Sequence, residues 1–308
     1  MTLSARRRVP DNFVVRTWLA PDGWELRSFG QGVEGPAKGS LLFLGGRGDF
    51  FEKYLETFEH WAAIGWGVAG FDWRGQGGSG RLHPADLCHI EDFSAFLGDL
   101  AAFAANWRAQ TSRPHVAIGH SMGAHVLLRA VAQGLLELDG IVLLSPMIGI
   151  RAGLLRGRAF NGVAALGRAP ALRERALWRG PASPLPARIT SCPERHDDKL
   201  WWKAQHPELA RGAPTWGWLA AAARSMSALD RQLRRRPVTV PGLILRAARD
   251  PIIDVEAIRR VRRFLPCFEH GVIKQAGHEL LRERDVPRAE CMARIARFLD
   301  ERAWLLRE

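Results

Sequence analysis

Gly119-His120-Ser121-Met122-Gly123 places a serine between two glycines where an apolar run, HVAIGH, gives way to a helical period, MGAHVLLRAVAQG. A sharp strand-to-helix turn needs small neighbours, because the chain passes close to adjacent elements and the serine is held in a strained conformation. Its hydroxyl is then exposed beside a helix N-terminus, which favours negative charge. Such a serine can attack a carbonyl; the bland alternative is an ordinary turn serine. A hydroxyl is a poor nucleophile until a base takes its proton. Among ten histidines, His120 and His125 are too near in sequence to reach back. His60, His83, His89 and His115 precede the serine in helix or loop positions. His278, in KQAGHEL, follows an apolar strand and so falls on the rim where the active sites of parallel sheets lie. A lone loop histidine is otherwise a surface residue.

A carboxylate must hold the imidazole. GLILRAARDPIID offers Asp250 just after a strand and Asp254 four residues later. Asp250-Pro251 is also a turn signal, and Asp254 has the position of an N-cap for VEAIRRVRRF. The reading favours Asp250, giving the chain order Ser121, Asp250, His278, which is that of α/β-hydrolase triads.

These residues need a scaffold. VVRTWLA and WELRSFG flank Pro21-Asp22-Gly23 and predict an antiparallel hairpin. SLLFLGG, GVAGFDW, HVAIGHS, GIVLLSP, GLILRA and FEHGVIKQ read as buried strands. FFEKYLETFEHWAAIG, EDFSAFLGDLAAFAANWR, VEAIRRVRRFL and a segment from about Pro287 read as helices. Unbroken apolar strands alternating with helices predict an α/β fold, a mostly parallel central sheet flanked by helices. Residues 147–236 break this rhythm. They are rich in proline and arginine and carry Trp178, Trp201, Trp202, Trp216 and Trp218. So long an insertion is not a structureless loop. It predicts a mainly helical cap or lid, dividing the core into 1–146 and 237–308.

The segments LFLGGRGDFFEKY, FDWRGQGGSG, GHSMG, RAARDPIID and AGHEL together resemble the lysophospholipase/monoacylglycerol lipase-like branch of the α/β-hydrolases, the serine aminopeptidase S33 type. The resemblance spans the core and not the cap. It implies an oxyanion hole made by the backbone N–H groups of Arg47 and Met122, and it matches Tyr54 to a tyrosine of the family. One departure is Gly45, where the family usually has a histidine that braces the loop. The activity implied is hydrolysis of carboxylic esters through an acyl-enzyme, on a lysophospholipid or monoacylglycerol, with no cofactor and no metal. The alternatives are a short-chain carboxylesterase, a proline-iminopeptidase-like peptidase and, from another class, a non-catalytic ligand-binding relative.

Two motifs read as decoys. Gly75-Gln76-Gly77-Gly78-Ser79-Gly80 fits a dinucleotide fingerprint but runs into Arg81-Leu82-His83-Pro84 rather than a helix, so a structural loop is expected. His196-Asp197-Asp198 mimics a metal cluster, but adjacent residues converge poorly on one ion, and an exposed helix start is expected.

The chain has 308 residues, 47% hydrophobic and 25% charged, and a net charge of +12. That composition suits a globular protein with a sizeable core. Arginine far outnumbers lysine along the whole chain, as coding bias would produce. The runs Arg6–Arg8 and Arg234–Arg236 are expected to be solvated faces, with peripheral contact to an anionic membrane as the alternative. No nucleic-acid signature accompanies the charge. The start MTLSARRRVPDNF lacks an apolar targeting core, no uncharged apolar stretch of about 18 residues occurs, and Cys88, Cys192, Cys267 and Cys291 are scattered. These features point to reduced thiols and a cytoplasmic location, free or peripheral to the inner membrane. Oligomeric state is not legible.

Overall fold

The computed structural model describes residues 6–151, 157–178, 189–248 and 250–305. It opens with β1 (Phe13–Leu19) and β2 (Glu25–Gln31), an antiparallel hairpin in which Thr17 faces Arg27. The turn closes through Ala20 N–H to Trp24 O at 2.9 Å, with Gly23 at a φ of 82° that its missing side chain permits. β3 (Gly39–Leu44) leads through a loop and a single 3₁₀ turn at Phe51–Tyr54 into α1 (Leu55–Ala63). β4 (Trp66–Phe71), α2 (Ser94–Gln110), β5 (His115–His120), α3 (Met122–Ala132) and β6 (Gly140–Leu144) follow.

Between β6 and the next strand come α4 (Gly157–Ala165), α5 (Pro170–Arg173), α6 (Pro193–Gln205) and α7 (Trp216–Arg235). Among the described residues this stretch contains no strand, only isolated bridges. Residues 152–156 and 179–188 of the expected insertion lie outside the described residues. The chain ends with β7 (Gly242–Ala247), α8 (Val255–Val261), β8 (Phe268–Ile273) and α9 (Asp285–Leu305). α9 starts before Pro287, which sits in its first turn, where a missing N–H breaks no helical bond.

The eight strands lie in the order β1-β2-β4-β3-β5-β6-β7-β8. All pairings from β4 onward are parallel, and β2 joins β4 antiparallel. The central strands are buried on both faces, which explains their continuous apolar runs. Alternate residues feed opposite layers. Leu42, Leu44, Ile141 and Leu143 pack with α2, α3 and α8, whereas Leu41, Phe43, Val142 and Leu144 pack with α1 and α9.

The Arg6–Arg8 run departs from expectation. Arg6 and Arg7 bond the two carboxylate oxygens of Asp198 on α6 at 2.5 and 2.8 Å, and only Arg8 is solvated, beside Asp11. Asp198 is accordingly buried, so the helix start expected to be exposed at His196-Asp197-Asp198 is exposed only at Asp197, with His196 half-buried. The glycine-rich loop is structural, as its sequence suggests. Ser79 Oγ donates to Asp72 O and accepts from Arg27 N–H, while Arg211 donates to Gly75 O and Gly80 O.

Candidate active site

Ser121 lies in the one-residue step between β5 and α3, with φ 51° and ψ −111°. This left-handed φ is strained for a residue with a side chain, and it persists because the surroundings leave no alternative. The two flanking glycines are sterically required. A Cβ on Gly119 would lie 2.6 Å from the Ala124 backbone, and one on Gly123 would lie 2.3 Å from Leu44 O. Ser121 N–H donates to Leu144 O at 2.9 Å, and Ser121 O accepts from Met147 N–H. The turn is thereby pinned to the neighbouring strand and the chain beyond it.

Asp250 and His278 leave the ends of β7 and β8 and meet at 2.7 Å, through Asp250 Oδ2 and His278 Nδ1. The other carboxylate oxygen accepts the Ile252 and Ile253 N–H groups at 2.9 and 3.0 Å. One carboxylate thus closes its own turn and orients the ring. Burial pushes this carboxyl up, but the adjacent His278 and the two amides outweigh burial and hold it below its ordinary value. Asp254 serves differently. It caps α8 by accepting Glu256 N–H and lies 3.4 Å from Arg260.

The His278 ring packs 4.9 Å from the His120 ring, next to Ser121 in the chain. Among the described residues, no hydrogen bond joins the Ser121 hydroxyl to His278. Unliganded sites of this kind are often loose at that contact.

The loop after β3 sorts its amides. Gly46 N–H donates to Asp49 Oδ2, Gly48 N–H to Gln76 Oε1 and Asp49 N–H to Gly46 O. Arg47 N–H between them has no partner among the described residues. The same is true of Met122 N–H, the first amide of α3. Among the described residues, two unpartnered amides therefore belong to the loop after β3 and to the turn at Ser121.

The loop is braced without a histidine at Gly45. Asp49 Oδ2 accepts from Tyr54 Oη at 2.7 Å, His120 Nδ1 lies 3.3 Å from both, and Lys53 pairs with Asp49 Oδ1. Burial raises the Asp49 carboxyl, but the Lys53 charge and the His120 contact dominate and hold it well below the usual carboxylate range. Burial and the Asp49 charge push Tyr54 well up, so it remains a donor. Lys53 also reaches Glu279 Oε1 at 2.8 Å, and Glu279 pairs with Arg282. Sequence reasoning missed Lys53 and Glu279 and weighed His120 only as a base too near in sequence; the four-residue spacing of Asp49 and Lys53 could have signalled part of the cluster.

A strap ties the chain before α6 to the chain after His278. Glu279 N–H donates to Ile189 O at 3.1 Å, Thr190 Oγ1 to Arg282 O at 2.6 Å, and Arg195 to Glu283 O at 2.6 Å. Arg195 further pairs with Glu56 at 2.7 Å. Of the tryptophans, Trp202 and Trp218 are buried, whereas Trp178, Trp201 and Trp216 are half-buried.

Comparison with known proteins agrees with this architecture. The chain is 29% identical over 275 residues to lysophospholipase L2 of Escherichia coli K12, covering 83% of this chain and 78% of that protein. It is 26% identical over 268 residues to a probable lysophospholipase L2 of Haemophilus influenzae, covering 84% and 83%. Among solved structures, a soluble variant of Saccharomyces cerevisiae monoglyceride lipase superposes with a TM-score of 0.76 at 19% identity, over 96% of this chain and 95% of that one. A thermostable Bacillus coagulans carboxyl esterase gives 0.73 at 17%, over 96% and 100%. The fold is that of the α/β-hydrolases. Among the described residues no helix is long and apolar enough to cross a membrane. The sequence model of serine aminopeptidase, S33, matches residues 35–285, and the chain therefore belongs to that family of hydrolases.

Proposed function

We propose that the protein hydrolyses the ester of a single-chain lipid, a lysophospholipid or monoacylglycerol, through an acyl-enzyme on Ser121. The observation that carries this reading is the 2.7 Å contact of buried Asp250 with His278, whose ring packs against His120 beside the strained serine. His278 Nε2 takes the Ser121 proton as Oγ attacks the ester carbonyl. The resulting oxyanion accepts the Arg47 and Met122 N–H groups. Asp250 fixes the imidazole tautomer and stabilises the imidazolium, which then protonates the leaving alcohol. Water repeats the sequence on the acyl-enzyme and releases the fatty acid. No cofactor enters the scheme.

Residues 147–236 act as the cap over this site, and the lysophospholipase L2 relatives support the choice of substrate. A fluorophosphonate probe should label Ser121, and labelling should vanish in Ser121→Ala. Hydrolysis across an ester chain-length series that includes lysophosphatidylcholine should favour long chains. A preference for acetate or butyrate would assign a short-chain carboxylesterase instead, and cleavage of N-terminal residues from peptides would assign an aminopeptidase.

A further inference from the structure

Among the described residues the buried cations are paired. Arg74 bonds Asp22 and Asp99, Lys53 bonds Asp49 and Glu279, Arg195 bonds Glu56 and Asp285, and Arg282 bonds Glu279. Arg47, Lys199 and Lys203 break the pattern. Each is half-buried, and none forms an ion pair or a side-chain hydrogen bond among the described residues. Arg47 makes one charged contact, its guanidinium lying 5.6 Å from the centre of the Trp218 ring.

The three converge on one region. Lys199 and Lys203 are four apart on α6 and so share a side of it. That side borders the buried Arg195, Asp198 and Trp202, and Trp202 packs in the same core cluster as Phe50, Tyr54 and Leu280. Arg195 ties the same helix to Glu283 O, the charges of Lys53 and Glu279 act on Lys199, and those of Lys53, Asp49 and Arg47 act on Lys203, so the lysines lie near the loops carrying Arg47 and His278. Burial, with the Lys53 charge added, pulls Lys199 down to about 7 and lowers Lys203 as well. The carboxylates beneath them, Asp49 and Glu279, are already engaged by Lys53 and Arg282. Half-buried cations without counter-charge are destabilising, and an incoming anion would relieve them.

Resting on the proposed function, we infer that Arg47, Lys199 and Lys203 form the recognition site for the phosphodiester of a lysophospholipid head group. In such a lipid the phosphate and the acyl ester are attached to one glycerol, so a phosphate site must adjoin the oxyanion amides. Arg47 meets that requirement directly, since the residue that carries the side chain also carries one of the free amides. A monoacylglycerol has no phosphate and leaves the three cations unpaired, so the site selects lysophospholipid over the neutral lipid.

The test compares the unaltered protein with Lys199→Met, Lys203→Met and the double variant. Calorimetric binding of glycerol 3-phosphate requires no turnover, and its Kd should rise about tenfold or more in the double variant. In parallel, kcat/KM for palmitoyl lysophosphatidylethanolamine should fall about tenfold or more through KM, while that for palmitoylglycerol changes by less than about twofold. No glycerol 3-phosphate binding by the unaltered protein, an unchanged Kd, or equal losses on the two lipids would overturn the inference. Absence of any ester hydrolysis would instead strike the proposed function, and the calorimetry would still decide whether the phosphate site exists.

Discussion

Lys53 Nζ donates to Glu279 Oε1 at 2.8 Å, joining the residue after His278 to the loop that carries Arg47. The same ammonium pairs with Asp49, and its side chain is wholly removed from solvent. Two loops from opposite ends of the chain, one supplying a free amide and the other the candidate base, thus share a single cation.

Lys53→Met would leave buried Asp49 without its cation and buried Glu279 with Arg282 alone. Removing one member of a buried ionic group destabilises by about 3–5 kcal/mol, measurable by urea unfolding. Where the variant is still folded, kcat on a soluble ester should fall about tenfold or more with little change in KM, because the loop carrying Arg47 and the one carrying His278 lose their common brace. Full activity in folded Lys53→Met would show that each loop holds itself.

For the proposed triad, Ser121→Ala and His278→Ala should each lower ester hydrolysis by about 10⁴-fold with unfolding behaviour preserved. Asp250→Asn should be severely impaired, since an amide facing His278 Nδ1 favours the wrong tautomer. Asp254→Asn should be mild, because asparagine caps a helix nearly as well as aspartate. If Asp254→Asn is the damaging one, the carboxylate assignment is wrong.

His125, on α3 and fully buried, contacts Ser225 Oγ of α7 through Nε2 at 2.6 Å. Burial, with Arg129 adding to it, pulls this imidazole from 6.5 down to about 3. Burial and Arg262 pull His270 down to about 4 in the same sense. Between pH 6.5 and these values the unfolded chain binds protons that the folded chain refuses. Stability is therefore fully present above pH 6.5 and is lost progressively as pH falls through that window. His125→Gln should be less stable at pH 7.5 yet show a shallower decline in Tm from pH 7 to pH 5. An unchanged slope would mean that other groups govern the acid response.

The tryptophans should divide by burial. Trp218 packs 5.9 Å from Phe93 within the core, so Trp218→Ala should destabilise by about 3–5 kcal/mol and depress all esters alike. Trp201 and Trp216 are half-buried, and Ala at either should raise KM for long-chain esters while sparing short ones. Equal losses on both chain lengths at Trp201 and Trp216 would remove them from substrate recognition.

Most of the scaffold was legible because parallel strands buried on both faces, such as Leu41–Leu44 and Ile141–Leu144, must be uninterrupted apolar runs. Ser121 was legible because its turn admits only glycine on either side. The sequence could also suggest Asp250 and His278, since each follows a strand that a parallel sheet brings to one rim. Long-range charge pairing was not legible. Nothing local in Lys53 announces Glu279, 226 residues away. Arg6 and Arg7 looked like a solvated run because Asp198, which bonds them, belongs to a distant helix. The bracing of the loop at Gly45 was hidden for the same reason, its donors and acceptors being spread over Asp49, Lys53, Tyr54 and His120.

The bonds from Ile189, Thr190 and Arg195 to Glu279, Arg282 and Glu283 make the base of α6 and the loop bearing His278 one mechanical piece. Outward motion at that end of the helix would drag the candidate base with it, so that end is the stationary edge of the proposed cap. Crowding against α6 would then be transmitted through these bonds as a force on the loop that holds the His278 ring.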